Sequence, residues 1–234
     1  CRALTASHCL RPFNLSLPSK PMLIELTRRI SEELPRVSLE QLKTTAEDGW
    51  NTSMLHLYSH CGTHMDAPWH FDCGEKFIDE TPLETCMGPA SIVRLPETKP
   101  RELLTVEHLG ALGEDFPRGD HLLLNTNWSH RFEEESYRPE LPRIGDELAH
   151  WCVDHGVKIL GVEPLSVADV FNPEELTRIH RILLKGGVTI VEGLINLDQI
   201  PGDRCFFAAL PLRIQGGDGS PCRAFAATEV LGDR

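Results

Sequence analysis

The 234-residue chain is 41% hydrophobic and 25% charged, with 18 Gly, 17 Pro and 8 Cys. An ordinary apolar fraction at this length can build a core, which excludes wholesale disorder, and no run of about 18 apolar residues is present to span a membrane. The formal charge of −12 argues against nucleic acid and anionic membranes as partners and leaves a small molecule as the expected one.

In chain order, residues 1–20 have no apolar signal-like core and read as a tail ahead of a single domain over 21–234. Strand-like runs follow at 22–27, 52–59, 91–95, 121–126, 157–162, 188–192 and 205–210, with one more near 222–230. On the 52–59 run, Met54, His56 and Tyr58 share one face; Leu55 and Leu57 share the other, which is expected to pack in the core. A short helix is expected over 105–112. A longer one over 143–155 sets Ile144, Leu148, Trp151 and Cys152 on one face. The best-marked helix spans 172–185. Asn172 can cap it, Pro173 fits its first turn, Glu174 and Glu175 suit the positive end of the dipole, and Gly186 stops it. The polar, Pro-bearing stretches 97–101 and 133–142 read as linkers, neither long enough to separate independent domains. Strands outnumber helices, so the fold class expected is mixed α/β. The cysteines are scattered with no CxxC pair and read as reduced thiols, which points to the cytoplasm.

The chemistry concentrates in His60-Cys-Gly-Thr-His64-Met-Asp66-Ala-Pro-Trp-His70-Phe. His60, His64, Asp66 and His70 occupy even positions, so in an extended chain they face one way. Imidazole and carboxylate are the donors that divalent transition metals prefer. His180, on the apolar face of the 172–185 helix, and Glu192, ending the 188–192 run, could complete such a site; a buried Glu192 needs a cationic partner. Tyr58, Trp69 and Phe71 could supply an aromatic wall, and Cys61 reads as a small packing residue. GxSxG is absent, which removes a serine-hydrolase elbow, and the GGDGSP segment lacks the GK[ST] of a P-loop. That segment reads as tight turns, in which Asp218 could pair with Arg223.

These residues resemble the metal-dependent cyclase family, which includes bacterial kynurenine formamidases and isatin hydrolases. HCGTHMDAPWHF is similar to its HxGTHxDxPxH signature, Gly161-Val-Glu-Pro-Leu-Ser166 to its GxDxxS segment with Glu163 for Asp, and Gly216-Gly-Asp-Gly-Ser-Pro-Cys-Arg223 to its GADGSPxR. The resemblance implies a single-domain swivelling β/β/α fold and a homodimer or homotetramer. It also implies one or two Zn or Mn ions. His60, His64 and Asp66 would hold one metal; Asp66, His180 and Glu192 would hold a second; His70 would be the general acid/base. The implied activity is an amidohydrolase that opens a C–N bond, in a formamide or cyclic amide, of a small aromatic substrate. A lactone hydrolase, or a dehydratase or lyase, would use the same site, and a non-catalytic domain would keep the metal as a structural element. Around Leu34-Pro-Arg-Val-Ser38 the chain lacks the Trp with which kynurenine formamidases contact their substrate, which points away from kynurenine itself.

Overall fold

The computed structural model describes residues 22–228; the expected tail over 1–20 lies outside the described residues. Twelve strands follow in chain order: β1 (Leu23–Glu25), β2 (Ser38–Lys43), β3 (Thr52–His56), β4 (His64–Asp66), β5 (Met87–Arg94), β6 (Leu103–Leu104), β7 (His121–Asn125), β8 (Arg143–Ile144), β9 (Ile159–Val162), β10 (Thr189–Glu192), β11 (Arg204–Pro211) and β12 (Gly219–Ala227). Eight of them form one sheet in the order β1-β12-β11-β5-β7-β9-β10-β4. Its far edge returns to its beginning, because β4 also pairs with the start of β12, and the sheet closes on itself as a barrel. The run β5-β7-β9-β10 is parallel and the remaining pairings are antiparallel. This is the mixed α/β class expected.

Parallel strands are covered on both faces, and their sequences show it as unbroken apolar runs. Leu122 and Leu124 of β7 pack outward beneath the helices, while Leu123 between them points into the barrel with Phe207 and Ala224. The outer layer is formed by the Asp146–Asp154 and Pro173–Lys185 helices. In the second, the Asn172 side chain accepts from the Glu175 amide at 3.2 Å, the cap expected from the sequence. The 143–155 reading is shortened at its start, since Arg143–Ile144 is drawn into parallel pairing with Leu103–Leu104. The 105–112 helix is a 3₁₀ turn at Val106–Leu109 followed by a separate helical turn at Leu112–Asp115.

Two expectations fail. β3 does not bury its Leu55 face: among the described residues it pairs only with β2, in a two-stranded hairpin whose residues are exposed on both sides, and Leu55 is 58% exposed. The 133–142 stretch is not a linker. Its Tyr137 and Leu141 are buried against Trp128, and the Trp128 indole donates to the Tyr137 carbonyl at 2.9 Å.

One buried group carries a testable cost. His121 opens β7 with no exposure and, among the described residues, with no partner within hydrogen-bond geometry of either ring nitrogen, and burial pushes its imidazole down to about 4. The unfolded chain titrates near 6.5, so between these values it binds more protons than the folded one, and stability falls as the pH drops. His121→Leu is therefore expected to lose about 2 kcal/mol less stability than wild type between pH 7 and pH 4.5 in urea melts, from about 1.4 kcal/mol per pK unit. Equal losses in both proteins would contradict this.

Candidate metal centre

The signature segment is not one extended run. His60 leaves a turn that ends β3's departure from the hairpin, only His64–Asp66 is strand, and His70 lies in the 3₁₀ turn Pro68–Phe71, where Pro68 fits the first position. Alternation therefore aligns only His64 and Asp66; tertiary contacts bring the other two. Gly62 turns with φ +61, and the Thr63 hydroxyl donates to the Gly193 carbonyl at 2.7 Å while accepting the Arg28 amide at 2.8 Å. Gly193 has to be glycine: at φ +70, a Cβ would stand 2.4 Å from the Gly62 carbonyl oxygen. This close approach clamps the end of β10 to the turn before β4.

β4 is held between β10 and β12. His64 stands opposite Glu192 on one side, and Asp66 stands opposite Gly219 on the other. The result is His64 Nε2 at 3.1 Å from Glu192 and 3.7 Å from Asp66 Oδ1. The Pro173–Lys185 helix lowers His180 into the same point, with Nε2 at 3.4 Å from Glu192 and 3.7 Å from Asp66 Oδ2. His60 Nδ1 meets Asp66 Oδ1 at 2.9 Å. The structure thus brings all five expected donors together. His60, His64 and Asp66 form one trio and Asp66, His180 and Glu192 another, the donor atoms of each lying within 4.8 Å of one another. Asp66 belongs to both.

The charge pattern fits a cation. His64 Nδ1 and His180 Nδ1 face the backbone carbonyls of Gly62 and Leu176, at 3.1 and 2.7 Å. Each Nδ1 therefore carries the proton and Nε2 presents a lone pair to carboxylate oxygens. Two acceptors facing each other in a buried site need a positive charge between them, a proton or a metal ion. Without a metal, His60 and His180 take that charge. Burial alone would lower His60, yet the Asp66 and Asp218 carboxylates outweigh it and raise the imidazole to about 9. His180 is likewise raised against its burial, by Glu192 and Asp66, and Glu192 is lowered against its burial by His180 and His64. Asp66 Oδ2 is still left buried without a hydrogen-bond partner among the described residues. Two carboxylates, three imidazoles and one orphaned oxygen make a donor set suited to a divalent ion. The Glu192 carboxylate is fixed from behind by the Val167 amide at 2.8 Å.

His70 stacks on His60 with ring centroids 3.9 Å apart and is partly open to solvent; burial pushes it below the ordinary imidazole value. The residue missed in the sequence is Asp218. It does not pair with Arg223, whose guanidinium goes to Glu25. Its carboxylate meets His60 Nε2 at 2.9 Å and lies 3.7 Å from His70 Nδ1. The signal was the acid between two glycines, in a segment already noted as special. Glu163, which replaces the family's Asp, is wholly buried; it accepts from the Thr126 amide and the Ser129 hydroxyl at 2.7 and 2.8 Å and braces the loop after β7.

A cavity of about 520 Å³ opens beside the cluster, with His60 and Gly193 in its wall. Of the three aromatic residues expected there, Tyr58 lines it. Trp69 turns outward against Phe77, and Phe71 stacks on His180 instead. The other aromatic walls are Phe132 and Tyr137, with the Arg28 guanidinium 3.8 Å above the Phe132 ring. Cys61 is buried against Leu34 and Val37, as a packing residue should be.

The comparisons agree with the residues. The Cyclase family model matches residues 24–169. The kynurenine formamidase of Salinibacter ruber is 34% identical over 178 residues, 76% of this chain and 80% of that protein. That of Geobacillus thermodenitrificans is 32% identical over 213 residues, covering 86% and 95%. Isatin hydrolase A from Labrenzia aggregata shares the fold, with a TM-score of 0.80 at 24% identity over 89% of this chain and 94% of that one. A matched stretch that holds the signature, relatives above 30% identity aligned over 76% and 86% of this chain and a shared fold lead to one statement: the chain belongs to the cyclase family.

Proposed function

We propose that this protein is a metal-dependent amidohydrolase that opens the C–N bond of a small aromatic formamide or cyclic amide, with His60, His64, Asp66, His180 and Glu192 as metal ligands and His70 as general acid/base. The observation that carries the reading is the convergence of His60, His64, His180 and Glu192 on Asp66, next to a cavity large enough for one aromatic ring system. The Salinibacter ruber and Geobacillus thermodenitrificans relatives, both above 30% identity, are named kynurenine formamidase, an activity of the same bond class. A divalent ion held there, Zn²⁺ or Mn²⁺ and one or two in number, would polarise the scissile carbonyl and lower the pKa of water toward about 7.

The remaining steps belong to the chain. Tyr58, Phe132 and Tyr137 bind the planar part of the substrate and exclude water from one side. His70 supplies the proton that the leaving nitrogen requires. With Nδ1 turned toward Asp218, Nε2 is the atom left to hold and transfer it. The Asp66 and Glu192 carboxylates would offset the positive charge of the ion they hold.

A homodimer or homotetramer, and a cytoplasmic setting, complete the proposal. A two-stranded hairpin is marginal alone in water, yet β2 and β3 expose Leu39, Leu42, Met54 and Leu55, a surface that a second copy would cover. The six described cysteines are all free, which suits a reducing compartment. No helix among the described residues is long and apolar enough to cross a membrane.

A panel of N-formylkynurenine, formanilide, isatin and simple lactones tests the reading on one preparation, before and after chelation. Turnover of a formamide or of isatin that stops with chelator and returns with added metal is the expected result. Turnover of lactones alone would transfer the site to ester chemistry and contradict the proposal.

A further inference from the structure

Three histidines face the centre, and each needs something behind its ring to fix the nitrogen it presents. For His64 and His180 that support is a backbone carbonyl, of Gly62 and Leu176. Among the described residues, His60 has no such carbonyl bonded to its rear nitrogen. Its Nε2 meets the Asp218 carboxylate at 2.9 Å, 158 residues away in sequence, and its Nδ1 points to Asp66.

The turn carrying Asp218 is built to deliver that carboxylate. The Asp218 carbonyl accepts the Ala67 amide at 3.0 Å, one residue beyond β4, and the Ser59 hydroxyl donates to the same carboxylate oxygen that His60 meets, at 3.3 Å. On either side of it a side chain would not fit. A Cβ at Gly219 would stand 2.7 Å from His60 Cε1 and 2.8 Å from the Met65 carbonyl, and one at Gly217 would stand 2.8 Å from Ile78 Cγ2. The Gly-Asp-Gly pattern thus lets the backbone press against the signature segment while a single carboxylate projects from it.

We infer that Asp218 is a positioning residue of the centre: its carboxylate accepts the hydrogen bond of His60 Nε2–H, so that Nδ1 faces Asp66 as a free metal donor. A histidine ligand whose other nitrogen donates to a carboxylate is held in one tautomer and one orientation and is made more basic, and loss of such a partner costs about 10- to 100-fold in metal affinity. The same carboxylate lies 3.7 Å from His70 Nδ1, which ties the acid/base ring to the ligand ring stacked on it. The inference rests on the metal reading above.

The test is metal titration of stripped protein, with Zn²⁺ and separately with Mn²⁺, for wild type, Asp218→Asn and Asp218→Ala. Asp218→Ala is expected to weaken binding by about 10- to 100-fold, and Asp218→Asn, which keeps an acceptor oxygen at the same reach, by less. In turnover assays the Michaelis constant should stay near wild type, and kcat should recover as the metal concentration is raised. Wild-type affinity in Asp218→Ala would overturn the inference. Should Asp218→Ala fail to fold, Asp218→Asn decides alone: weaker binding than wild type supports it and equal binding overturns it. A wild-type protein that takes up neither metal would sink the function proposal and this inference with it, whereas variants that merely match a metal-binding wild type sink this inference only.

Discussion

Asp66→Ala is expected to lose its metal and its turnover together, with His64→Ala close behind. Asp66 is the one side chain common to both donor trios, so its removal dismantles both at once, whereas His180→Ala would strip only the second. His64 and Glu192 face each other across paired strands at 3.1 Å, and removing the imidazole leaves the buried Glu192 carboxylate with only His180 and the Val167 amide. Losing the Lewis acid costs several kcal/mol of transition-state stabilisation, and at 1.36 kcal/mol per decade that is a drop of about 10³-fold or more in kcat. Elemental analysis beside kinetics, with circular dichroism to verify the fold, checks it. The barrel should survive, because its two apolar clusters run from β1 through β12 and do not depend on an ion. A purely structural metal makes the opposite forecast, in which chelation unfolds the chain rather than merely silencing it. Full turnover in a metal-free Asp66→Ala would refute the catalytic reading.

His70→Ala is the second large effect and it has a different signature. It should retain wild-type metal content and lose about 10²- to 10⁴-fold in kcat, the range for removal of a general acid/base. His70 groups with His60 and Asp218 rather than with Asp66, and its ring is partly open to solvent where those of His64 and His180 are shut in. Its contacts are a stacked His60 ring, an edge-on Phe71 and the distant arm of Asp218, which orient it without occupying it. The loss should be smaller for substrates with a good leaving group, such as a lactone, since less proton transfer is then required. An active His70→Ala, or one that has lost its metal, would remove the acid/base assignment.

The donor residues were legible in the sequence because their chemistry is dense: four titratable side chains in eleven positions around a Gly and a Pro have few bland explanations. The helix bearing His180 was legible for a local reason, its Asn-Pro-Glu-Glu start and Gly stop being complete without tertiary context. What could not be read was set by contacts distant in sequence. β4 is only three residues long, and its strand character comes from flanking β10 and β12 rather than from its own propensity. The hairpin of β2 and β3 alternates like a half-buried strand, yet among the described residues it is exposed on both faces. Tyr137 sits among charged and proline residues, so a buried cavity wall looked like a linker. Asp218 was hidden by a plausible local partner, Arg223, which the register of β12 against β1 sends to Glu25 instead.

The most direct measurement is anomalous diffraction at the zinc and manganese edges from crystals grown with both ions in excess. The account predicts an anomalous peak bounded by His60, His64 and Asp66, with any second peak on the far side of Asp66 between His180 and Glu192. A fully metal-loaded, active crystal with no peak within coordination distance of Asp66 would contradict it.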